Sequence, residues 1–391
     1  MKILYIANIR IPTTKAHGFQ IMKNMCSQLG DQGVQVELVV PTRRNKEFKN
    51  IDPFKFYQVK KNFKLKKILA YDPKWLIRFP SGTYIKFQAL IFMTSLFFYL
   101  LFKKNKGEYI LYTRDEYLLP ILQLFSTTVV WEGHSLPRRK KHYLKYFKKC
   151  HRIIVLTDEL KKMLVKLGVK ENRVLVSPDA VDLEIFGIIM DKRQARKKLK
   201  LPEDKILLGY TGTFKTKNMD KGLSGIIHAL KKVVTKYPDA IFVAVGGARE
   251  HIDEYRELAS SLGVEKNCLF LGRVDTSELA IYQQAFDMCL MPFPWTEHYA
   301  YFMSPLKMFE NMASGRPIIA TNLPTIKEVL NDNNSLLVKP DNRESLAVGI
   351  VKLIEDKELG SRLANNALKD IKEYTWQKRV EKIIKYINET P

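Results

Sequence analysis

Short apolar runs and longer helical patterns alternate along this whole chain, and that alternation constrains the fold more than any other feature. Runs at 3–7, 35–40, 109–113, 128–131, 152–156 and 173–177 read as strands in the first half. Runs at 206–211, 240–245, 268–271, 288–291, 317–320 and 335–338 read the same way in the second. Brief apolar runs separated by stretches of helical period are the pattern of parallel sheets covered by helices. The first intervening stretch shows the period: Ile21, Met25 and Leu29 share one helical face, and Gly30 closes it. A chain of 391 residues exceeds one ordinary core and suits two domains. The segment 179–186 reads as the connection between them, with a basic helix at 193–199 after it.

The composition, 46% hydrophobic, is that of a globular protein. Cys26, Cys150, Cys268 and Cys289 are scattered without metal-like or redox-like spacing, which argues for a reducing compartment and against zinc. The first residues run straight into a strand pattern, so no signal peptide is expected and a cytoplasmic location is predicted. Net charge is +24, and much of it is clustered. No acid interrupts 53–71, which carries Lys55, Lys60, Lys61, Lys64, Lys66 and Lys67, and a second acid-free block runs from Arg138 to Arg152. Such clusters suit a solvated surface, an anionic membrane or another polyanion. The most apolar segment is 85–102. Its uninterrupted part, 89–102, falls short of the ~20 residues of a bilayer span, so a buried crossover helix is the first expectation. Interfacial membrane contact is the second, because Lys103, Lys104 and Lys106 follow directly.

One stretch carries chemistry: Ser304-Pro305-Leu306-Lys307-Met308-Phe309-Glu310, continuing to Gly315, Arg316 and Pro317. Ser304 reads as an N-cap and Pro305 as the first helical residue, while Gly315 ends the helix and Pro317 prevents its return. A helix start offers free N–H groups and a positive dipole end to an anion. Lys307 adds a cation there, and Glu310 on the same helix can accept bonds from sugar hydroxyls. Phosphate at the helix mouth with ribose at Glu310 makes a nucleotide-diphosphate site.

This stretch resembles the signature of GT-B glycosyltransferases, in particular the retaining family four, or glycosyl transferases group 1. The resemblance implies two Rossmann-like domains facing each other across a cleft. Residues 1–183 would be the acceptor domain, with 376–391 packing back on it, and 184–375 the nucleotide-sugar domain. It also assigns the ribose to Glu310. The family's other glutamate, separated from it by seven residues, falls on Phe302, with Glu297 and His298 as neighbouring substitutes. Lys221-Gly222 resembles the lysine–glycine pair that neutralises the leaving diphosphate. Thr213 stands where the family has arginine, and Lys215 and Lys217 are candidate replacements. Arg273 and Val274 match the base-binding turn, and Leu306 lies in the helix mouth with Ser304 and Pro305. Gly18 matches one of the paired glycines after the first strand, and His134 matches the histidine beside the donor sugar. Arg114 and Asp115 lie at another strand end and are candidates for the same cleft. The segment 176–186 resembles the family's linker.

The resemblance implies a retaining transfer of a sugar from a UDP- or GDP-linked donor to a hydroxyl of a glycan or lipid-linked acceptor. No Asp-x-Asp occurs, so no metal and no cofactor beyond the donor is expected. An envelope polysaccharide or glycolipid pathway, at the inner face of a membrane, is the expected setting, with no nucleic acid. An inverting course would need a base, for which Asp115, Glu132 and His134 are candidates. Two rivals stand beside this reading: a nucleotide-sugar epimerase on the same fold, and a non-enzymatic polyanion- or membrane-binding protein.

Overall fold

The structure, a computed structural model, describes residues 1–43, 45–79, 82–216 and 219–389. The chain divides into two units, Met1–Ser177 with Trp376–Pro391, and Pro178–Thr375. Residues 178–183, expected with the first unit, belong to the second, where Val181 pairs with Thr375.

The first unit holds a seven-stranded sheet, ordered β3-β2-β1-β4-β5-β6-β7, with every pairing parallel. Its strands are β1 (Lys2–Ile6), β2 (Gln35–Thr42), β3 (Lys64–Leu69), β4 (Ile110–Thr113), β5 (Val129–Gly133), β6 (Arg152–Val155) and β7 (Val174–Val176). The strand β3 was not anticipated. It is an edge strand whose Lys64, Lys66 and Lys67 are exposed, so it shows no apolar run, and charged side chains on an edge discourage pairing with other chains. After β1 comes a helical run of Ala16–Phe19, a π-helical middle Gln20–Ser27, and Gln28–Asp31. Ile21, Met25 and Leu29 are all buried on it.

The helix Thr83–Phe102 makes the crossover from β3 to β4. It corrects the expectation of burial, because only Phe92, Leu96 and Leu100 along it are fully buried. Apolar residues occupy its whole circumference, whereas the sheet covers one stripe.

The helix Trp376–Asn388 completes the first unit from the far end of the chain, with Val380, Ile383 and Ile387 in the core around Met25 and Leu29. Polar groups fasten it as well. Arg152 Nε donates to the Tyr386 carbonyl at 2.9 Å and Lys382 Nζ to that of Val176 at 3.0 Å. Arg379 Nη2 donates to Glu132 Oε1 at 2.8 Å, both side chains being buried. Tyr112 donates its hydroxyl to the other Glu132 oxygen at 2.5 Å.

The second unit repeats the order. Its six parallel strands run β12-β11-β8-β13-β14-β15, beside a small antiparallel hairpin. They are β8 (Ile206–Thr211), the hairpin β9 (Lys215–Thr216) and β10 (Met219–Asp220), β11 (Ala240–Val245), β12 (Cys268–Leu271), β13 (Met288–Met291), β14 (Ile318–Thr321) and β15 (Leu336–Val338). Both sheets therefore reverse direction beside their first strand, and doubly wound sheets bind ligands at the carboxyl ends there.

Removing one partner of a buried ion pair strands the other charge. Arg379→Leu should therefore cost about 3–5 kcal/mol in urea unfolding, and adding Glu132→Leu should recover part of it. The pair holds Glu132 well below the ordinary carboxylate range. Its stabilisation is thus full at neutral pH and should be lost only as pH falls below that range.

Candidate functional site

In the second unit β8 runs into Gly212, whose φ of +105° is a conformation glycine takes readily. A side chain there would also stand 3.3 Å from Lys307 Cε. The Gly212 N–H donates to the Val245 carbonyl at 2.8 Å, and the Gly246 N–H donates to those of Leu271 (3.1 Å) and Gly272 (3.0 Å). The carboxyl ends of β8, β11 and β12 are thereby tied together through their backbones.

Over this junction lies Lys307, in the first turn of the helix Leu306–Ala313. Its side chain is buried with Nζ 3.4 Å from the centre of the Tyr210 ring and 5.5 Å from that of Phe293. No described residue accepts a hydrogen bond from that ammonium. Burial drives its pKa well below the ordinary lysine range; Lys221 pushes the same way and Glu310 opposes. Lys221 Nζ donates to Thr213 Oγ1 at 2.7 Å, and burial pushes its pKa down to about 8. Glu310 is pushed up to about 7 by burial, which Lys307 only partly offsets. The structure thus links Thr213 to Lys221 by a hydrogen bond, and Lys221 and Glu310 to Lys307 by charge.

Other residues of the second unit fall differently. Ser304 is not the N-cap: the helix begins at Leu306, Pro305 holds the cap position at φ −80° and ψ 124°, and no side chain caps it. The Ser304 hydroxyl instead accepts the Asp179 N–H at 2.9 Å. Without a side-chain cap, the first-turn N–H groups of Leu306 and Lys307 remain open to an anion. Lys215 is committed to the Glu254 carboxylate, at 2.6 and 2.5 Å. Lys217 lies outside the described residues. Arg273 is exposed, and Val274 packs against the core cluster of Val243 and Phe286. Phe302 is half-buried in the π-turn His298–Phe302, and Glu297 just before it is exposed.

Three contributors were not anticipated. Asp220 accepts the N–H groups of Gly222 (2.9 Å), Leu223 (3.0 Å) and Ser224 (3.1 Å), which sets the start of the following helix and so the position of Lys221. Gly222 has φ +100°, and a Cβ there would meet the Pro292 carbonyl oxygen at 1.9 Å. Buried Gln283 donates to Thr211 Oγ1 at 3.0 Å and Asn311 Oδ1 at 3.1 Å, tying the end of β8 to the Lys307 helix. Tyr210 supplies the ring under Lys307. An aromatic residue just inside a strand end was the only signal for it.

The first unit carries a second cluster at its own strand ends. Arg114 Nη2 stands 2.7 Å from His134 Nδ1, and His134 Nε2 stands 3.1 Å from Glu132 Oε1. These partners assign the neutral tautomer, with Nδ1 accepting from the guanidinium and Nε2–H donating to the carboxylate. Burial and Arg114 push the imidazole down to about 4. Arg114 also reaches Gln20 Oε1 at 3.4 Å, on the π-helical segment. Asp115 Oδ2 accepts the Asn8 N–H at 2.8 Å, and burial raises its pKa. Gly18 sits inside the first helix, where a Cβ would meet Tyr57 Oη at 2.5 Å; its smallness seats the 8–15 loop on Tyr57. Of the three candidate bases, Glu132 is held by Arg379 and Tyr112, and His134 has both nitrogens engaged. Asp115 alone has a raised pKa.

Among the described residues no group of three His, Cys, Asp or Glu side chains is placed to hold a metal. What the second unit offers is two depressed ammonium groups, an uncapped helix start and a carboxyl, a combination suited to a diphosphate carrying hydroxylated groups.

Known proteins resemble this chain in sequence and in fold. Residues 191–370 match the family described as glycosyl transferases group 1. An uncharacterized glycosyltransferase of Methanocaldococcus jannaschii is 24% identical over 240 residues, which is 60% of this chain and 58% of the relative. The chain thus spans less than two thirds of that relative's length. Among solved structures, sucrose-phosphate synthase of Thermosynechococcus elongatus aligns with a TM-score of 0.76 at 18% identity, covering 98% of this chain and 97% of that one. Anabaena HepE, solved in complex with UDP, aligns with a TM-score of 0.71 at 16% identity, covering 98% and 99%. Residues 191–370 thus carry the likeness to the glycosyl transferases group 1 family, within a chain whose two α/β units have the GT-B fold.

Proposed function

We propose that this protein transfers a sugar from a nucleoside-diphosphate donor to an acceptor hydroxyl, with retention of configuration and without a metal ion. The observation that carries the reading is the buried Lys307 ammonium, which has no acceptor among the described residues and lies close enough to Lys221 to feel its charge. Two such ammonium groups are costly to hold together empty. A bound diphosphate removes that cost, accepting bonds from both and from the open helix start. Glu310 then takes the ribose hydroxyls. As the bond from sugar to phosphate breaks, charge grows on the leaving diphosphate, and fixed cations stabilise it more there than in the ground state.

In this reading the acceptor hydroxyl attacks on the face that the leaving group vacates, and a departing phosphate oxygen takes its proton. No protein nucleophile is required. The neutral His134, fixed by Arg114 and Glu132, is an orienting group of the acceptor unit, and Asp115 is the base an inverting course would use. UDP is the first choice of carrier, since a structural neighbour was solved with it, and GDP the second. The acceptor proposed is a glycan or lipid-linked precursor of the cell envelope, reached from the cytoplasm at the inner face of the membrane.

Calorimetry with a panel of nucleoside diphosphates and nucleotide sugars, in the presence of EDTA, tests the reading. One base should bind clearly, and Glu310→Ala and Lys307→Met should each weaken it about 10- to 100-fold, the worth of a charged hydrogen bond. No binding by any member overturns the proposal.

The same site dictates a pH profile. Above about 8 the free protein loses the Lys221 proton, and below about 7 Glu310 becomes protonated. Affinity for the nucleotide should therefore peak between these values and fall on either side. Near pH 8 binding should take up protons, seen as a dependence of the measured heat on the buffer's ionisation enthalpy.

A further inference from the structure

The first unit carries an apolar surface that stays exposed among the described residues. On the helix Thr83–Phe102, Phe87, Leu90 and Phe98 lie on the side opposite the buried stripe of Phe92, Leu96 and Leu100, and Phe98 is 53% exposed. The helix packs beside the turn Lys74–Arg78, which adds Trp75 (58% exposed), Ile77 and, just beyond it, Phe79. Exposed apolar side chains this numerous and adjacent mark a surface that meets something other than water.

The surrounding charge identifies what it meets. Between Pro53 and Gly107 there are twelve Lys and Arg against a single acid, Asp72. That acid is turned inward: its carboxylate takes the Tyr84 hydroxyl at 2.6 Å, Arg10 at 3.2 Å and Gln88 at 3.2 Å. Lys66, Lys74, Arg78 and Lys86 remain exposed around the apolar side chains. Apolar and aromatic groups ringed by cations are complementary to acyl chains beneath anionic headgroups. We propose that this face docks on an anionic phospholipid surface, with the helix lying in the interface plane.

The helix is long and apolar enough to cross a bilayer, but its attachments keep it on the protein. Tyr99 Oη and Lys103 Nζ both bind the Glu37 carboxylate on β2, at 2.5 and 2.8 Å. Crossing would break these contacts and uncover Phe92, Leu96 and Leu100. Docking needs no rearrangement and uses the side that the sheet leaves open. This inference goes beyond the transferase reading and does not depend on it.

The test is flotation of the full chain with vesicles of phosphatidylglycerol and phosphatidylethanolamine, against vesicles of phosphatidylcholine alone. The protein should bind the anionic vesicles, bind phosphatidylcholine at least about tenfold more weakly, and be released by salt. Trp75→Ser with Phe98→Ser, and separately Lys66→Glu with Lys86→Glu, should each weaken binding about tenfold or more while melting temperature and nucleotide affinity stay unchanged. The inference is overturned if the protein ignores anionic vesicles or if the folded variants bind as tightly as the parent. It is equally overturned if bound protein resists alkaline carbonate extraction, which would mean the helix spans. A lipid-free dimer abolished by the apolar pair would assign the face to a second copy instead.

Discussion

Everything in the second unit's site depends on keeping a cation where no described residue accepts its hydrogen bonds. Lys307 is held against the Tyr210 ring by the helix that carries it, and ring and helix are fixed by the junction of β8, β11 and β12. The cation–π contact recovers part of the lost hydration, on the order of 2 kcal/mol when desolvated. That is less than a buried ammonium forfeits, so the charged form of Lys307 is disfavoured by its surroundings. Burial moves all three groups from their ordinary values; at Lys307 the charge of Lys221 adds to that shift and Glu310 opposes it.

The first unit solves the opposite problem. Its buried charge, Glu132, is satisfied on every side by Arg379, Tyr112 and His134. A satisfied ionic cluster in a low-dielectric interior fixes geometry, and here it fixes an imidazole tautomer and a guanidinium at the strand ends. One unit therefore keeps a buried cation without a described acceptor, while the other holds a buried carboxylate whose partners are all in place.

Much of this was legible before the structure. Twelve of the thirteen strands in the two main sheets announce themselves as apolar runs, Lys307 and Glu310 sit in one helix-start motif, and Lys221 stands in a separate lysine–glycine pair. The lysine-studded β3 hid because an edge strand needs no apolar run. Thr83–Phe102 was misjudged because its composition is apolar on all sides, and composition does not say how much of a helix a sheet will cover. The N-cap failed on one residue of phase, since Pro305 took the cap and freed Ser304 for Asp179. Tyr210 under Lys307, and Arg379 against Glu132 across 247 positions, are products of topology that no local pattern records.

The terminal helix has a consequence for how the chain is made. The first unit is assembled from two segments on either side of an uninterrupted second unit, whose own ends are brought together where Val181 pairs with Thr375. During synthesis the second unit is complete before the residues that finish the first have been added. Until Arg379 emerges, Glu132 has no guanidinium and the groove for Val380 and Ile383 stays open. The unit begun first is thus the last to close, and for that interval the nascent protein holds one finished unit and one unfinished.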